Sequence, residues 1–379
     1  MVINGAFGRW ASRLKPVHGL AVLMLLQLWL IFAHSPWRDE LQAYLLVRDS
    51  PGLAGLFANL HYEGHPALWY LVLDAARCII PSARALALVQ AAVALGTIAL
   101  VWRRAPFPDG LKLLILAGYF LLFEYGVIAR SYGLGMLLLF AWLALRRTFW
   151  GWVVLAMMAN VAIHFALLSV FCVAAGLWIE RRWSWMGAAL WAIGCLVALI
   201  AIIPAADVQT GASALAKPLG ERALAALRWQ SAVLLPVRVG VWPYRWQVLI
   251  SPPEAPLTAA LLGLGAGALA AVAVRREWRA SGLMLGLFVV LAAMSALVYP
   301  TYPRHVGVLL LLGIALEWMR LERDGNGASP VFVSWMAVSA ACGLWAAAAA
   351  LVIPFSPGRQ EARWIAAHHL QGAAWAAYP

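Results

Sequence analysis

The sequence predicts an all-α protein, a polytopic membrane bundle of about ten to thirteen transmembrane helices. Three observations predict it. Hydrophobic residues make up 64% of the 379-residue chain, and the mean hydropathy is +0.82. Asp, Glu, Lys and Arg supply only 12%, against about 25% in a soluble domain. Uncharged runs at 184–203, 256–274, 281–298 and 331–354 reach the roughly 20 residues that a bilayer crossing needs. No large soluble domain fits in the remainder.

The formal charge of +12 raises the question of nucleic acid, and its placement answers against it. Basic residues cluster between apolar runs: Arg9, Arg13 and Lys15, then Arg103/Arg104, Arg146/Arg147, Arg181/Arg182, Arg275/Arg276/Arg279 and Arg320/Arg323. That is the positive-inside pattern of a membrane protein. The four cysteines (Cys78, Cys172, Cys195, Cys342) stand singly, so they read as small core residues rather than a disulfide framework. The first apolar run leads into Ser35-Pro36-Trp37 without a small-x-small site, so it reads as a retained helix.

Taken in order, the N-terminus lies in the cytoplasm and the first helix exits near His34. Residues 35–65 form the first outer loop, with four acidic and two basic side chains. Within it Asp39 is placed to cap a helix bearing Leu41, Tyr44, Leu45 and Val47. Ser50-Pro51 is a second start signal, with Ser as cap and Pro in the first turn. Leu53, Leu56, Phe57 and Leu60 follow at helical spacing. Two short helices lying in the membrane interface are expected.

Residues 66–80 then read as a second crossing and 85–102 as a third. This count leaves a parity conflict: two crossings return the chain outside, where Arg103/Arg104 do not belong. Short spans at 113–123 and 131–145 flank Glu124 to Arg130, whose face stays open. The uncharged run 148–179 reads as one long helix or as two hinged near Asn160–His164. Residues 205–255, rich in proline and with Trp229, Trp242, Tyr244 and Trp246, read as an outer, partly embedded loop. Tyr299–His305 forms an outer turn. Residues 1–354 make one transmembrane domain, and 355–379 a short outer tail with an amphipathic helix.

Candidate chemistry collects in these outer turns. Asp39-Glu40 reads either as helix-start compensation or as a carboxylate base at a cavity mouth. In Glu63-Gly64-His65-Pro66, His65 stands at a helix start suited to anions. Arg130 lies between apolar spans, where ionisable groups are costly and often functional, and its guanidinium matches phosphate oxygens. His164 interrupts an apolar run. Tyr302, Arg304 and His305 open a late helix. No dinucleotide, P-loop, zinc-protease or nucleophile-elbow motif is present, so a soluble nucleotide-sugar or ATP site has no visible home. A lipid-carried donor needs none.

The stretches WRDELQAYLLVRDS and EGHPALWYLVL resemble the first outer loop of GT-C superfamily membrane glycosyltransferases. The likeness is to protein mannosyltransferase-like and lipid A aminoarabinose transferase-like enzymes, and especially the bacterial branch acting on lipopolysaccharide cores. Ala129–Leu134 resembles that family's Arg-x-Tyr helix start, and 302–312 its late Arg-bearing helix start.

The resemblance implies a multi-helix glycosyltransferase domain in a bacterial inner membrane, with the reaction on the periplasmic face. It implies inverting transfer from a polyprenyl-phosphate sugar to a glycan, lipid or lipopolysaccharide hydroxyl. Asp39 would be the catalytic carboxylate and Glu40 its neighbour in the pair. Arg130, His65 and Arg304 would contact the donor phosphate. His65 departs from the lysine common there, which puts a permanent positive charge at that spot in doubt. Glu63, His164, Tyr302 and His305 are candidate substrate contacts. No cofactor is expected, and a divalent metal is left open without a visible ligand cluster. A lipid-substrate transporter or flippase is the competing reading, and a membrane scaffold the third.

Overall fold

The computed structural model describes residues 15–206, 216–236 and 256–372, and among them every regular element is helical. The helices are α1 (Pro16–Ala33), α2 (Arg38–Asp49), α3 (Gly52–Leu60), α4 (Leu68–Ile79), α5 (Arg84–Arg104), α6 (Asp109–Ala117), α7 (Ser131–Leu145), α8 (Phe149–Ala159), α9 (Ile163–Trp178), α10 (Trp185–Ile202), α11 (Leu219–Gln230), α12 (Pro256–Ala273), α13 (Trp278–Leu297), α14 (Pro303–Asp324), α15 (Pro330–Val352) and α16 (Gly358–Ala367). Six of them, α1, α5, α10, α12, α13 and α15, are long and apolar enough to cross a membrane, and α7, α8 and α9 are shorter apolar helices. The protein is an all-α membrane bundle.

Local chemistry fixes the helix ends. Proline stands in the first turn of α1, α14 and α15, where its missing N–H costs nothing. The Ser329 hydroxyl accepts from Phe332 N at the start of α15. Gly325, at φ +67°, closes α14 in the left-handed conformation that glycine adopts without penalty. α14 is the hub: from Pro303 to Leu321 every residue but Arg304 is buried. A helix apolar on all sides belongs inside other helices.

The bundle has two chemically distinct ends. At one, Arg146 Nη2 lies 2.9 Å from Glu180 and 2.6 Å from Glu322, tying the C-terminal ends of α7, α9 and α14. Arg323 pairs with Glu277 at 2.8 Å, and Arg279 donates to the Trp178 carbonyl at 2.8 Å. We refer to this as the basic end. The other end carries Asp39, Arg130, His164 and Arg304, because α7, α9 and α14 each begin there and run to the basic end.

That frame resolves the parity conflict. α4 has 12 residues, about 18 Å of helix, too short for a hydrocarbon core of about 30 Å. It carries an Asp74–Arg77 ion pair. Gln90, in the second turn of α5, donates to the Tyr125 carbonyl at 2.8 Å, so α5 starts from the Asp39 end. Residues 66–80 are therefore not a crossing, and Arg103/Arg104 close α5 at the end opposite Asp39. The run 148–179 is two helices. Asn160 makes the hinge, donating to the carbonyls of Ala156 and Gly194.

Three further expectations change. The cap of α2 is Trp37, not Asp39, which falls in the first turn. Ser50 ends α2 instead of starting α3: its hydroxyl donates to the Leu46 carbonyl at 2.6 Å. The α3 stripe divides, with Leu56 and Leu60 buried and Leu53 and Phe57 exposed. In the 205–255 region, α11 packs along α12 and α13, and the Val233 carbonyl accepts from Trp335 Nε1 at 2.9 Å. Its described part is thus partly embedded, with Ala226, Gln230, Ala232 and Val233 buried and Leu219 exposed. Trp242, Tyr244 and Trp246 lie outside the described residues, as do Arg9 and Arg13. The tail docks at the Asp39 end, where Phe355 packs on His34 and Trp37 and Arg359 Nη2 donates to the His34 carbonyl.

Candidate functional site at the Asp39 end

Glu40 builds the site. It is fully buried, and both its oxygens are engaged. Oε2 accepts from Trp37 N at 3.0 Å and lies 2.8 Å from His34 Nε2. Oε1 accepts from Ala129 N at 2.7 Å. The first contact is the reciprocal half of a capping box. The last joins the start of α2 to the irregular turn just before Arg130, 89 residues away. Glu40, expected as a catalytic partner, is therefore a brace.

Its neighbour Asp39 emerges on the other face of α2, partly exposed. Asp39 Oδ2 lies 2.9 Å from Arg130 Nη1 and 3.9 Å from Arg304 Nη2. Glu124 and Arg130 form no ion pair with each other. Glu124 instead accepts from the Tyr119 hydroxyl at 2.8 Å, at the end of a π-helical turn, Phe120–Glu124. Such turns are rare and frequently functional.

Aromatic rings hold both guanidinium groups. Arg130 lies 5.9 Å from the Trp37 ring centroid and 5.4 Å from that of Tyr132. Arg304 lies 5.8 Å from Trp37 and 5.2 Å from Tyr302. Trp37 thus serves both cations, a distance range at which the ring face attracts charge. Tyr125 links the two segments: its hydroxyl donates to the Arg304 carbonyl, and its ring stacks on Tyr132.

The remaining candidates fall into two groups. His65 joins the cluster, with Arg130, Arg304 and Asp39 as its electrostatic neighbours. Burial, reinforced by the two arginines, lowers its pKa to about 4. It is neutral near pH 7, so it offers a hydrogen bond rather than a positive charge. Glu63 is used structurally, accepting from Gln42 Nε2 at 2.6 Å and from the Tyr70 hydroxyl at 3.3 Å. His305 Nδ1 accepts from Tyr302 N at 3.0 Å, which makes it part of the α14 start. The His305 ring stacks on His164 at 4.1 Å.

Five buried nitrogens around Asp39 have no aligned intramolecular hydrogen bond: Trp37 Nε1, His65 Nδ1, Arg130 Nη1, Arg304 Nε and His164 Nε2. Arg130 Nη1 is close to Asp39 but off-axis for a hydrogen bond. Buried polar groups without partners are costly, and a cluster of them is a binding signal. Among the described residues, no group of three or more His, Cys, Asp or Glu side chains is arranged to hold a metal ion.

The sequence pointed to Asp39, His65, Arg130 and Arg304, gave Tyr132 only as part of the Arg-x-Tyr helix start, and missed Trp37 and Tyr125. Trp37 could have been found from its place before the acidic pair. Compared with known protein families, curated proteins and solved structures, the chain matches none.

Proposed function

We propose that the protein is a membrane glycosyltransferase that moves a sugar from a polyprenyl-phosphate carrier to a hydroxyl acceptor at the Asp39 end. The observation that carries this reading is the ion-paired triad Arg130–Asp39–Arg304, drawn from three distant segments to one end of the bundle. A base and two phosphate-matched cations in contact suit displacement of a lipid phosphate. The acceptor oxygen attacks the anomeric carbon as its bond to the phosphate oxygen breaks. Asp39 takes the acceptor proton, and polyprenyl phosphate departs with the bonding pair. Arg130 and Arg304 offset the charge that develops on it, and a single displacement inverts the carbon.

The Asp39–Arg130 pair gives the order of events. Donor phosphate competes with Asp39 for Arg130 and so frees Oδ2 to accept the proton. Glu40 and Trp37 position these groups without reacting. On this reading the Asp39 end faces the periplasm.

The test is reconstitution into liposomes with labelled polyprenyl-phosphate sugars and candidate glycan or lipid acceptors. Sugar transfer by the wild type, and its loss in a folded Asp39→Asn variant, is the expected result. Undiminished transfer by that variant removes Asp39 as the base. Movement of the labelled lipid across the bilayer without a covalent product would replace the reading with transport.

A further inference from the structure

The basic end holds a second feature that plays no part in the chemistry above. A pocket of about 280 Å³ opens between the end of α7, the start of α8, the end of α9 and the start of α10. Arg146, Arg147, Arg182 and Glu180 line it together with Trp152 and Trp183, and Val173, Gly176 and Met186 extend it with apolar wall.

The charges around it are not equivalent. Arg146 is buried and satisfied, bonded to Glu180, Glu322 and the Leu143 carbonyl. Arg147 is half exposed and only 3.4 Å from each of the same two carboxylates. Those carboxylates are already engaged by Arg146. Arg182 makes a hydrogen bond to the Arg147 carbonyl at 3.1 Å and no ion pair closer than 4.0 Å among the described residues. Arg147 shares both carboxylates with Arg146 and donates to Glu180 at 3.4 Å, so these three arginines and two carboxylates leave one positive charge in excess, carried between Arg147 and Arg182, while Arg146 and Glu180 form the wall.

Independent observations place the pocket in the membrane interface. Trp150, Trp178, Trp183, Trp185 and Trp278 are all exposed and all at this end, the aromatic belt expected at headgroup depth. The pocket itself has a tight scaffold. A Cβ on Gly187 would come within 2.4 Å of the Trp152 ring, so α10 and α8 are in contact there. Its volume lies at the lower edge of small-molecule sites, roughly 300–1,000 Å³. That suits a headgroup rather than a whole lipid, with the apolar wall left for the first carbons of a tail.

We propose that this pocket binds a phosphate group, carried on an anionic lipid, between Arg147 and Arg182. Guanidinium groups match phosphate in a bidentate fork, and basic pockets between membrane helices hold anionic headgroups by this chemistry. The inference does not rest on the glycosyltransferase reading.

The experiment measures lipid retained by the purified full-length protein after exchange into detergent with phosphatidylglycerol or phosphatidylcholine, by native mass spectrometry. Expected is one retained phosphatidylglycerol per chain at least tenfold over phosphatidylcholine. The Arg147→Gln/Arg182→Gln variant loses that preference by tenfold or more. Gly176→Leu keeps every charge but fills the pocket, since a Cβ at Gly176 has nothing within 4 Å. It abolishes retention while the thermal midpoint holds. Displacement by inorganic phosphate assigns the site to soluble phosphates as well as lipid ones; persistence of the lipid against it assigns the site to the lipid alone. Equal retention of both lipids with no binding of inorganic phosphate overturns the proposal, as does unchanged preference in either folded variant.

Discussion

Replacing Glu40 by alanine tests the brace directly. Its carboxylate is fully buried and serves three donors: Trp37 N, His34 Nε2 and Ala129 N. Removing one member of such a buried charged set costs about 3–5 kcal/mol, because the remaining groups are left without partners. Part of that cost falls on the whole fold and part on the local junction between α2 and the Ala129–Arg130 segment. At about 3 kcal/mol for the junction, amide exchange there accelerates about 150-fold. Glu40→Gln keeps the shape but presents an NH2 where an oxygen stood. One amide oxygen satisfies Ala129 N or Trp37 N, not both, at a cost of about 2 kcal/mol. The assay is hydrogen–deuterium exchange in detergent, read on peptides covering 36–41 and 126–133. The reasoning predicts that both peptides accelerate together in each variant, with alanine exceeding glutamine, and that a peptide within 308–318 of α14 changes far less. Unchanged exchange at 126–133 in Glu40→Ala would refute it, since the Ala129 amide has no other partner among the hydrogen bonds of this junction.

Further outcomes follow from the same structure. Arg130→Lys retains a positive charge but loses the fork and its place between the Trp37 and Tyr132 rings; transfer in the liposome assay drops at least tenfold while the thermal midpoint stays within a few degrees. His65 has a folded pKa of about 4 against an ordinary 6.5, so the folded state binds fewer protons than the unfolded one between those values. Stability is thus unaffected above about pH 6.5 and falls as pH drops toward 4. His65→Gln shows a shallower acid dependence of the thermal midpoint over that window, and an identical slope in both proteins refutes the assignment. A Cβ at Gly343 would come within 2.1 Å of the Ala117 carbonyl, whereas Gly265 has open space around it. Gly343→Ala is expected to lose about 1–3 kcal/mol, seen as a lowered thermal midpoint, and Gly265→Ala to lose none.

Much of this organisation was legible in the sequence because it depends on local chemistry. Apolar run length gave the long helices, and arginine pairs marked the basic end. The two short helices after His34 announced themselves through their apolar spacing. The Asn160 hinge could be read as one of two options, since a lone amide inside an apolar run needs partners. Other features depend on contacts distant in sequence, and no local signal carries those. That Glu40 takes the structural place in the Asp39-Glu40 pair rests on Ala129 N and His34 at its two oxygens, both outside its own helix. The partner of Glu124 was not legible: it ends a π-helical turn that hands its carboxylate to the Tyr119 hydroxyl. The short α4 was misread as a crossing because hydropathy outweighed Asp74 and Arg77, whose pairing hides their cost. That 219–230 forms a helix packed along α12 and α13 was hidden by its own charges, Glu221, Arg222 and Arg228.

The residues of the Asp39 cluster share one more property. Arg130, His164 and Arg304 each stand within two residues of a helix start, those of α7, α9 and α14, while Asp39 opens α2 and His65 precedes α4. Every helix start carries roughly half a positive elementary charge from its aligned peptide groups. Several such partial charges therefore lie at the same end of the bundle, beside partly buried groups where water screens them poorly. This field belongs to the backbone and has no pKa. It persists when any single arginine is neutralised, so on the proposed reading the hold of this end on a donor phosphate would come from how the helices are directed as much as from which side chains they carry.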